Sequence, residues 1–489
     1  MVAGEPRMLI DGKLVDASSG ETFDNVNPAT EQIIGVSADA TVDDARAAIG
    51  AARRAFDETD WANDPALRAR CLRQLQEAMA EARQELSDVL VAEAGSPVSL
   101  NGLIQLDLPV GWLDHWATMA ETYPYEAPLE QTKVFGMTHR GVLRREPMGV
   151  VTAITPFNYP VLVNIAKVGP ALAAGNAVIL KPSPDTPWAA TIMGRLVAER
   201  TDIPPGVFNV VTSSRVDTSE ALVTDPRVDM ITFTGSTVTG RRIMHGCADT
   251  VKKCFLELGG KSANIILPDG DFDRALALSG GWVCTHSGQG CAMYTRLLLP
   301  RSRYDELVEA TKAYFEKAQT RVGDPTDPKI LHGPQINERQ RQKVLGLIET
   351  GKNEGATLLV GGGVPEHLPR GYYVEPTLFV DVDPDATIAQ EEFFGPVLVV
   401  TRYEDEDDAV RIANNSIYGL SGSVHSADEE RALGVARRIR TGTVSVNGSQ
   451  WLDATRPFGG YKQSGVGREN GTEGYEEYLE TKVVSLPGG

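Results

Sequence analysis

Three residues of this chain have side chains that could carry out chemistry together: a cysteine, a glutamate and an asparagine. Cys291 ends a Gly-Gln-Gly-Cys run, Glu257 lies in Leu-Glu-Leu-Gly-Gly-Lys, and Asn158 lies in Pro-Phe-Asn-Tyr-Pro. A thiol is a strong nucleophile, a carboxylate can act as a general base, and an amide can donate hydrogen bonds to an oxyanion. The set predicts covalent catalysis on a carbonyl group.

Alternating strand and helix patterns predict the elements that position these residues. Short apolar segments typical of buried strands occur at 150–154, 177–180, 208–212 and 230–234, with a helical pattern at 161–174. This alternation favours an open parallel sheet, and Asn158 follows its first strand, where ligand sites commonly lie. A second alternating region, 263–442, predicts a second α/β domain with strands at 264–267, 296–299 and 397–400.

Several segments outside these two regions also have regular patterns. Residues 8–15 predict a small hairpin, and residues 42–56 and 66–93 have helical spacing of apolar side chains. Residues 133–145 alternate like an exposed hairpin, and residues 481–486 form an unpaired strand pattern. Because exposed strands are normally protected by pairing, the hairpin and tail either dock onto another subunit or pack on their own domain.

The composition disfavours several classes of function. The 489 residues include 47 basic and 66 acidic side chains, a net charge of −19, which repels nucleic acid and anionic membrane surfaces. We expect no membrane span, because no apolar run approaches ~20 residues, and no export signal at the N-terminus. Five cysteines without a Cys-x-x-Cys pair favour a reducing cytoplasm, and the scattered histidines predict no metal site.

Seven motifs give the chain a resemblance to the aldehyde dehydrogenase superfamily over nearly its whole length. They are Pro156-Phe-Asn-Tyr-Pro160, Lys181-Pro-Ser183, Phe233-Thr-Gly-Ser-Thr237 with Gly240, Leu256-Glu-Leu-Gly-Gly-Lys261, Gly288-Gln-Gly-Cys291, Glu391-Glu-Phe-Phe-Gly-Pro396 and Pro457-Phe-Gly-Gly460. Each motif is weak alone, but together they follow the family's order at compatible spacings. The chain is therefore identified as resembling a non-acylating, NAD(P)-dependent aldehyde dehydrogenase.

The resemblance implies an α/β fold of two open parallel-sheet domains with a small β element for oligomerisation. Residues 1–128 and 148–259 would form the nicotinamide-dinucleotide-binding domain, and residues 260–460 the catalytic domain. Residues 129–147 and 474–489 would form an oligomerisation hairpin and tail. A homodimer or homotetramer is expected, which agrees with the prevalence of closed symmetry among oligomers.

The resemblance also implies a role for each of the three chemical residues. Cys291 would attack an aldehyde, and Asn158 with the Cys291 backbone N–H would stabilise the oxyanion. Family members that transfer the acyl group to coenzyme A typically lack a glutamate at the position of Glu257, so Glu257 favours hydrolysis to a carboxylic acid. The alternatives are a coenzyme A-acylating semialdehyde dehydrogenase, a non-catalytic protein on the same fold, and a cysteine hydrolase. The last would use His286 as its base, but no second His or Asn motif supports it.

The cofactor site is less distinct in the sequence, which contains no Gly-x-Gly-x-x-Gly fingerprint. Gly235 and Ser236 follow a strand and precede a helix, whose N-terminus could hold a pyrophosphate. The resemblance assigns Lys181 and Ser183 to the adenosine ribose, and Glu392 and Phe394 to the nicotinamide ribose and ring. The remaining predicted cofactor residues are Thr155, Pro156, Phe157 and Leu258.

One departure from the family concerns the choice of cofactor. Many NAD-preferring relatives carry a glutamate three residues after the lysine, where this chain has Pro184. Without that carboxylate a 2′-phosphate meets less repulsion, although Asp185 could take the glutamate's role if the loop shifts by one residue. NAD is the expected cofactor, with NADP as an alternative.

A second departure concerns the substrate. Gly290 and Ala166 are small where relatives often carry bulkier side chains. The resemblance assigns five larger residues to the substrate entrance, namely Trp112, Leu162, Val163, Trp451 and Leu452. Small residues near the thiol with aromatic residues farther out predict a bulky apolar aldehyde, of medium-chain, terpenoid or aromatic type.

Overall fold

The computed structural model describes residue 2 and residues 4–488. The strands in this part of the chain are β1 (Met8–Ile10), β2 (Lys13–Val15), β3 (Thr22–Asn27), β4 (Gln32–Ala38), β5 (Glu126–Val134), β6 (Met137–Pro147), β7 (Val150–Ile154), β8 (Ala177–Lys181), β9 (Phe208–Val210), β10 (Met230–Thr234), β11 (Lys253–Glu257), β12 (Ala263–Ile266), β13 (Arg296–Pro300), β14 (Thr357–Val360), β15 (Thr377–Val380), β16 (Val397–Tyr403), β17 (Ser421–His425), β18 (Thr443–Val446), β19 (Gly465–Val466) and β20 (Leu479–Pro487).

The same residues form α-helices that cover the sheets. They are α1 (Val42–Glu58), α2 (Pro65–Glu81), α3 (Arg83–Ala94), α4 (Asp107–Thr122), α5 (Pro160–Ala173), α6 (Trp188–Arg200), α7 (Val216–Thr224), α8 (Thr237–Ala248), α9 (Phe272–Val283), α10 (Tyr304–Gln319), α11 (Glu338–Asn353), α12 (Thr387–Gln390), α13 (Glu406–Asn414), α14 (Glu429–Ala436) and α15 (Gly471–Glu476). A π-helical turn, Asn101–Gln105, precedes α4.

The first sheet brings several of the predicted site residues to one edge. Its strand order is β19-β11-β10-β7-β8-β9-β1-β2. The strands from β11 to β9 run parallel, whereas β19, β1 and β2 are antiparallel additions. The register pairs Ile154 with Lys181 and Thr234 with Glu257. The carboxyl ends of these strands therefore meet, which is where open parallel sheets commonly bind ligands.

The second sheet is the other large layer of the molecule. Its order is β14-β15-β16-β13-β12-β17-β18, and every pair is parallel except β14 with β15. Strands β12, β13 and β17 are buried along their whole length, as expected for parallel strands covered by helices on both faces. The segment that bears Cys291 precedes β13, so the second sheet supplies the predicted nucleophile.

The hairpin and the C-terminal strand form a third, three-stranded antiparallel sheet in the order β20-β6-β5. The side chains of β5 and β20 are mostly exposed. The two segments with unpaired strand patterns are therefore paired with each other. The predicted fold, two parallel-sheet α/β units with a small β element, is confirmed.

Local sequence signals account for several helix boundaries near the site. The Thr41 side chain accepts from Asp44 N at the start of α1, and the Asp44 carboxylate accepts from Thr41 N, which is a capping box. Pro160 occupies the first turn of α5, where a missing N–H costs nothing. The helical pattern at 66–93 divides at Ala82, whose ψ of 12° departs from helical geometry. In residue 2 and residues 4–488, none of the helices combines the length and the apolar character that a bilayer span requires.

Candidate active site

A cavity of 610 Å³ brings Cys291, Glu257 and Asn158 together. Asn158 lies in the turn between β7 and α5, and Glu257 is the last residue of β11. Cys291 follows the short turn His286–Gly288 and precedes β13 of the second sheet. Residues that are distant in the sequence, such as Asn158 and Cys291, therefore share one cavity, which lies where the two α/β units meet.

The cavity wall is mainly apolar. It includes every residue that the sequence assigned to the substrate entrance, together with Ala166 and Gly290. Further apolar and aromatic lining residues are Leu100, Leu103, Ile104, Leu108, Trp282, Met293 and Phe458. Among the described lining residues the ionisable carboxylates are Glu257 and Glu469, and none is an arginine or lysine. The cavity is thus suited to an apolar molecule without a carboxylate.

The Asn158 amide is buried and held in a fixed orientation. Its Nδ2 donates to the backbone oxygen of Gln289, at 2.9 Å. A primary amide has two N–H donors, so one remains for an oxygen in the cavity. The bond also ties the turn after β7 to the segment that carries Cys291.

Glu257 is enclosed almost completely by the protein. In the described residues neither carboxylate oxygen has a hydrogen-bond partner. A Cβ atom at Gly459 would lie 2.7 Å from Glu257 Oε1, so only glycine fits there. Burial raises the pKa of Glu257 well above its usual range, and the nearby Glu469 carboxylate raises it further. A carboxylate with a raised pKa is a stronger base near neutral pH.

Glu469 is a site residue that the sequence did not reveal. It lines the cavity and pairs with the buried Lys167 Nζ at 2.9 Å. Lys167 also donates to Thr232 Oγ1 at 3.1 Å, which fixes the ammonium group below the sheet edge. The only local signal is a Gly-Arg-Glu-Asn-Gly run, in which glycines flank charged residues. That pattern is typical of any surface loop.

The surroundings of the Cys291 thiol disfavour its ionisation. Burial raises its pKa above the usual range, and the carboxylates of Glu392, Glu257 and Glu469 raise it further. The backbone around it is closely packed, because a Cβ atom at Gly260 would lie 2.4 Å from Cys291 O. A nucleophile of this kind needs a base to remove its proton.

A second cleft, of 510 Å³, lies at the carboxyl edge of the first sheet. It shares Thr234 with the thiol cavity, so the two spaces adjoin. Its lining includes seven of the predicted cofactor residues: Thr155, Pro156, Phe157, Lys181, Ser183, Gly235 and Ser236. Ser236 caps α8 by accepting from Thr239 N at 3.2 Å. The first N–H groups of α8 have no partners within the helix, so its N-terminus suits a pyrophosphate.

The other three predicted cofactor residues border these spaces and are not among the described residues that line the cleft. Glu392 accepts from Gly260 N at 2.9 Å. The Phe394 ring meets Phe157 edge-on, with ring centroids 5.7 Å apart. Leu258 is buried and packs against α8, where a Cβ atom on Gly240 would lie 2.6 Å from its Cδ2.

The cleft also contains charged groups that the sequence did not indicate. Arg215, Arg242 and Arg339 line it. Burial lowers the pKa of Lys181 to about 8, while the Asp185 carboxylate opposes that shift. Asp185 Oδ1 accepts from Asn337 Nδ2 at 3.0 Å, so this carboxylate is held by a residue of the second α/β unit. Basic groups around a cleft of this size favour a phosphate-bearing ligand.

The cavity combines a thiol, a carboxylate and an amide donor, and it adjoins a cleft suited to a dinucleotide. This arrangement is typical of cofactor-dependent enzymes that oxidise carbonyl compounds. Residues 14–484 match the model of the aldehyde dehydrogenase family. The chain belongs to the aldehyde dehydrogenase family.

Individual relatives agree with this assignment. The chain is 42% identical over 483 residues to 3-succinoylsemialdehyde-pyridine dehydrogenase of a Pseudomonas species, covering 97% of both chains. It is 40% identical over 492 residues to geranial dehydrogenase of Castellaniella defragrans, covering 100% of both. The crystal structure of Mycobacterium tuberculosis aldehyde dehydrogenase complexed with NAD+ superimposes with a TM-score of 0.94 at 40% identity, covering 100% of this chain and 99% of that one.

These comparisons confirm the predicted family and, at the level of the family, the predicted class of nicotinamide-dependent aldehyde oxidoreductase. The roles of individual residues, the domain boundaries, the oligomeric state and the cytoplasmic location stay predictions. All five cysteines are free thiols. Among the described residues, no group of three or more histidine, cysteine, aspartate or glutamate side chains is arranged to hold a metal ion.

Proposed function

We propose that this protein oxidises bulky apolar aldehydes to carboxylic acids with NAD as the electron acceptor, through a thioester on Cys291. The observation that carries the proposal is the shared cavity, in which Cys291, Glu257 and Asn158 stand together on a mainly apolar wall. The adjoining basic cleft supports the dinucleotide, and NAD+ is bound in the related M. tuberculosis structure.

The cleft residues have distinct tasks in cofactor binding. Lys181 and Ser183 would hold the adenosine ribose, and the N-terminus of α8 at Gly235 and Ser236 would hold the pyrophosphate. Glu392 and Phe394 would contact the nicotinamide end, because Glu392 lies next to Gly260 and close to the thiol. When bound, the nicotinamide supplies the hydride acceptor that aldehyde oxidation requires. NADP remains an alternative because Pro184 offers no carboxylate against a 2′-phosphate.

Bond formation begins at the thiol. Glu257 takes the Sγ proton, and Cys291 Sγ then bonds to the aldehyde carbon, whose oxygen becomes an oxyanion. The free N–H of the Asn158 amide and the backbone N–H of Cys291 donate to that oxygen, where the negative charge develops. Loss of hydride from the same carbon restores the C=O bond and leaves a thioester on Cys291.

Hydrolysis of the thioester again uses Glu257. Glu257 must first release to water the proton that it took from the thiol, and Glu469, which is paired with Lys167, lies beside it. As a carboxylate it then removes a proton from water, and the water oxygen attacks the thioester carbon. The carbon–sulfur bond breaks, Cys291 Sγ takes a proton back from Glu257, and the carboxylic acid leaves.

The apolar cavity supports a bulky substrate. Leu103 and Leu108 line it and are 64% and 39% exposed, so apolar surface continues beyond the enclosed space. A substrate tail can cover these side chains and gain free energy from their burial. Two of the similar chains are named for geranial and for a pyridine-bearing semialdehyde. Both names are consistent with a medium-chain, terpenoid or aromatic aldehyde.

The proposal extends to domains and assembly. The dinucleotide-binding domain comprises residues 1–128 and 148–259, the catalytic domain 260–460, and the oligomerisation element 129–147 with 474–489. Exposed apolar side chains on the three-stranded sheet and its hairpin turn, such as Val483 at 60% and Phe135 at 95%, support a homodimer or homotetramer. Light scattering of the wild type and of Phe135→Glu tests this assembly. We expect an oligomer for the wild type and a smaller mass for the variant, and a monomeric mass for the wild type would contradict the proposal.

The activity is tested by measuring the formation of reduced cofactor from NAD or NADP with each of a panel of aldehydes, in the presence and absence of coenzyme A. We expect turnover without coenzyme A, highest for bulky apolar aldehydes, and none with Cys291→Ala. Turnover only with coenzyme A would instead assign the acylating class. Faster turnover of charged semialdehydes would contradict the substrate class, and a Cys291 thiol inert to alkylating reagents would favour a non-catalytic protein.

A further inference from the structure

A buried histidine contacts the peptide that carries the predicted oxyanion donor. His286 is 1% exposed, and its Nε2 lies 2.7 Å from the backbone oxygen of Asn158. A carbonyl oxygen can only accept, so Nε2 carries the hydrogen and Nδ1 carries the lone pair. In the described residues Nδ1 has no partner. The imidazole is therefore a neutral donor aimed at Asn158.

Hydrogen bonds connect the two segments in both directions. His286 donates to the Asn158 carbonyl, while the Asn158 amide donates to Gln289 O at 2.9 Å. A second donor, Gln105 Nε2, reaches the same Asn158 oxygen at 3.1 Å. Both the main chain and the side chain of Asn158 are thus fixed relative to the segment that carries the nucleophile, because His286 and Gln289 precede Cys291 by five and two residues.

The backbone of this segment is strained and held by further contacts. His286 and Ser287 have φ values of 48° and 56°, a left-handed conformation that is costly for residues other than glycine. His286 N donates to Leu331 O at 2.8 Å, and Gln335 Nε2 donates to Ser287 O at 2.8 Å. These contacts maintain a conformation that directs the imidazole toward Asn158.

We propose that His286 is a positioning residue, whose Nε2–H donation to the Asn158 carbonyl oxygen keeps the Asn158 amide aligned with the oxyanion formed at Cys291. The inference rests on the proposed function, since it requires that Asn158 stabilise an oxyanion. His286 is not the general base of a cysteine hydrolase, because its lone-pair nitrogen, Nδ1, has no hydrogen-bond partner among the described residues, and His286 is not among those that line the thiol cavity. Burial lowers the pKa of His286 to about 4, which agrees with a neutral ring at physiological pH.

A matched pair of substitutions isolates the hydrogen bond. His286→Phe keeps a flat ring and removes the donor, whereas His286→Gln keeps an N–H at the same number of bonds from Cβ. Both replacements experience the same left-handed backbone. We expect His286→Phe to lower kcat for aldehyde oxidation about ten- to a hundredfold, as for a displaced oxyanion donor. His286→Gln should recover most of that loss, with KM for NAD unchanged in both.

Two reactions of Cys291 separate positioning from a general structural role. Hydrolysis of a 4-nitrophenyl ester forms an oxyanion, whereas alkylation by iodoacetamide does not. We expect His286→Phe to slow ester hydrolysis by about the same factor as aldehyde oxidation and to leave the alkylation rate within about twofold. A parallel loss of alkylation and of cofactor affinity would mean a structural role only. Equal activity of the Phe and Gln variants would overturn the hydrogen-bond argument.

The chain offers a close control in His332. This histidine is 1% exposed, and its Nε2 lies 2.9 Å from the backbone oxygen of Val374 and makes no hydrogen bond to Asn158. His332→Phe removes an equivalent buried donor, so we expect lower Tm with kcat within about threefold of wild type. If His286→Phe does not fold, Gln105→Met removes the other donor to Asn158, and it should lower both oxyanion-forming reactions several-fold while sparing alkylation.

The two proposals fail in different ways. Retained turnover in Cys291→Ala would remove the proposed function and this inference together. An inactive Cys291→Ala beside a fully active His286→Phe would remove only the inference.

Discussion

The thiol cavity and the dinucleotide cleft adjoin at Thr234 but are built in different ways. The cleft lies at the carboxyl ends of parallel strands, where Lys181 ends β8 and Ser236 caps the start of α8. The cavity depends on contacts between distant segments, such as the hydrogen bond from Asn158 to Gln289. The positions of the cleft residues therefore depend mainly on secondary structure, whereas the positions of the cavity residues depend on tertiary contacts.

The two spaces also differ in charge. The cleft carries several basic side chains and suits phosphates, whereas the charged side chains that line the cavity are carboxylates in an apolar wall. Burial in that wall raises the pKa of both Glu257 and Cys291. We therefore expect substitutions in the cavity to change chemistry and substrate choice, and substitutions in the cleft to change the choice of cofactor.

The largest effect should come from Glu257→Gln. The amide keeps the shape of the side chain but cannot accept a proton, so kcat should fall about a thousandfold, within the usual range for loss of a general base. Steady-state oxidation of a bulky aldehyde measures this. Glu257 also takes the thiol proton, so hydroxylamine, which attacks a thioester without a base, should restore only the part of the loss that arises in thioester hydrolysis. A decrease below tenfold would contradict the assignment of Glu257.

A substitution at the cavity mouth should have a smaller, selective effect. Leu103→Asp removes exposed apolar surface, so kcat/KM for a bulky apolar aldehyde should fall about tenfold, while that for propanal changes by less than about twofold. Val364→Asp is the control, because Val364 is also exposed, at 40%, but does not line the cavity. Equal losses for both aldehydes would show that Leu103 has no part in selectivity.

In the cleft, Asp185→Asn should shift cofactor preference moderately. The substitution removes a negative charge near Lys181 while retaining a side chain that can bond to Asn337. A 2′-phosphate then meets less repulsion, so the ratio of kcat/KM for NADP to that for NAD should rise about fivefold. An unchanged ratio, or a shift toward NAD, would indicate that Asp185 lies away from the ribose.

The smallest effect at neutral pH should come from Glu469→Gln, which sharpens the electrostatic contrast. Glu469 raises the pKa of Glu257, and a base must be deprotonated to act, so wild-type activity falls as pH drops through that raised pKa. Removing the Glu469 charge lowers the pKa of Glu257. The fall of kcat/KM on the acid side of the pH profile should therefore occur at lower pH in the variant. A fall at the same or a higher pH would contradict the effect of Glu469 on the pKa of Glu257.

Much of the fold and of the cleft could be predicted from sequence. The apolar runs that end at Ile154 and Thr234 coincide with strands, because buried parallel strands need continuous apolar side chains. The division at Ala82 was not visible, since the apolar spacing continues across it. The motifs around Cys291, Glu257 and Asn158 predict covalent catalysis on a carbonyl group, but they do not give the distances between the three side chains.

The supporting residues of the cavity were not predictable. Glu469 reaches Lys167 only because a loop 302 positions later folds onto the first sheet. From the sequence His286 is only a candidate base near the nucleophile, and its contact with Asn158 depends on two left-handed residues that are not glycine. Such contacts arise from loop docking, for which single-sequence patterns carry no signal.

Strand β19 has a consequence for how this chain is made. It covers the outer edge of β11 by pairing Gly465 with Glu257 and Val466 with Leu256. Gly465 is added to the growing chain 208 residues after Glu257 (465 − 257). At typical ribosomal speeds this interval lasts roughly 10 to 40 seconds. During that time the strand that ends in Glu257 has an open edge available to other nascent chains, and a product that stops before Gly465 keeps that edge open permanently.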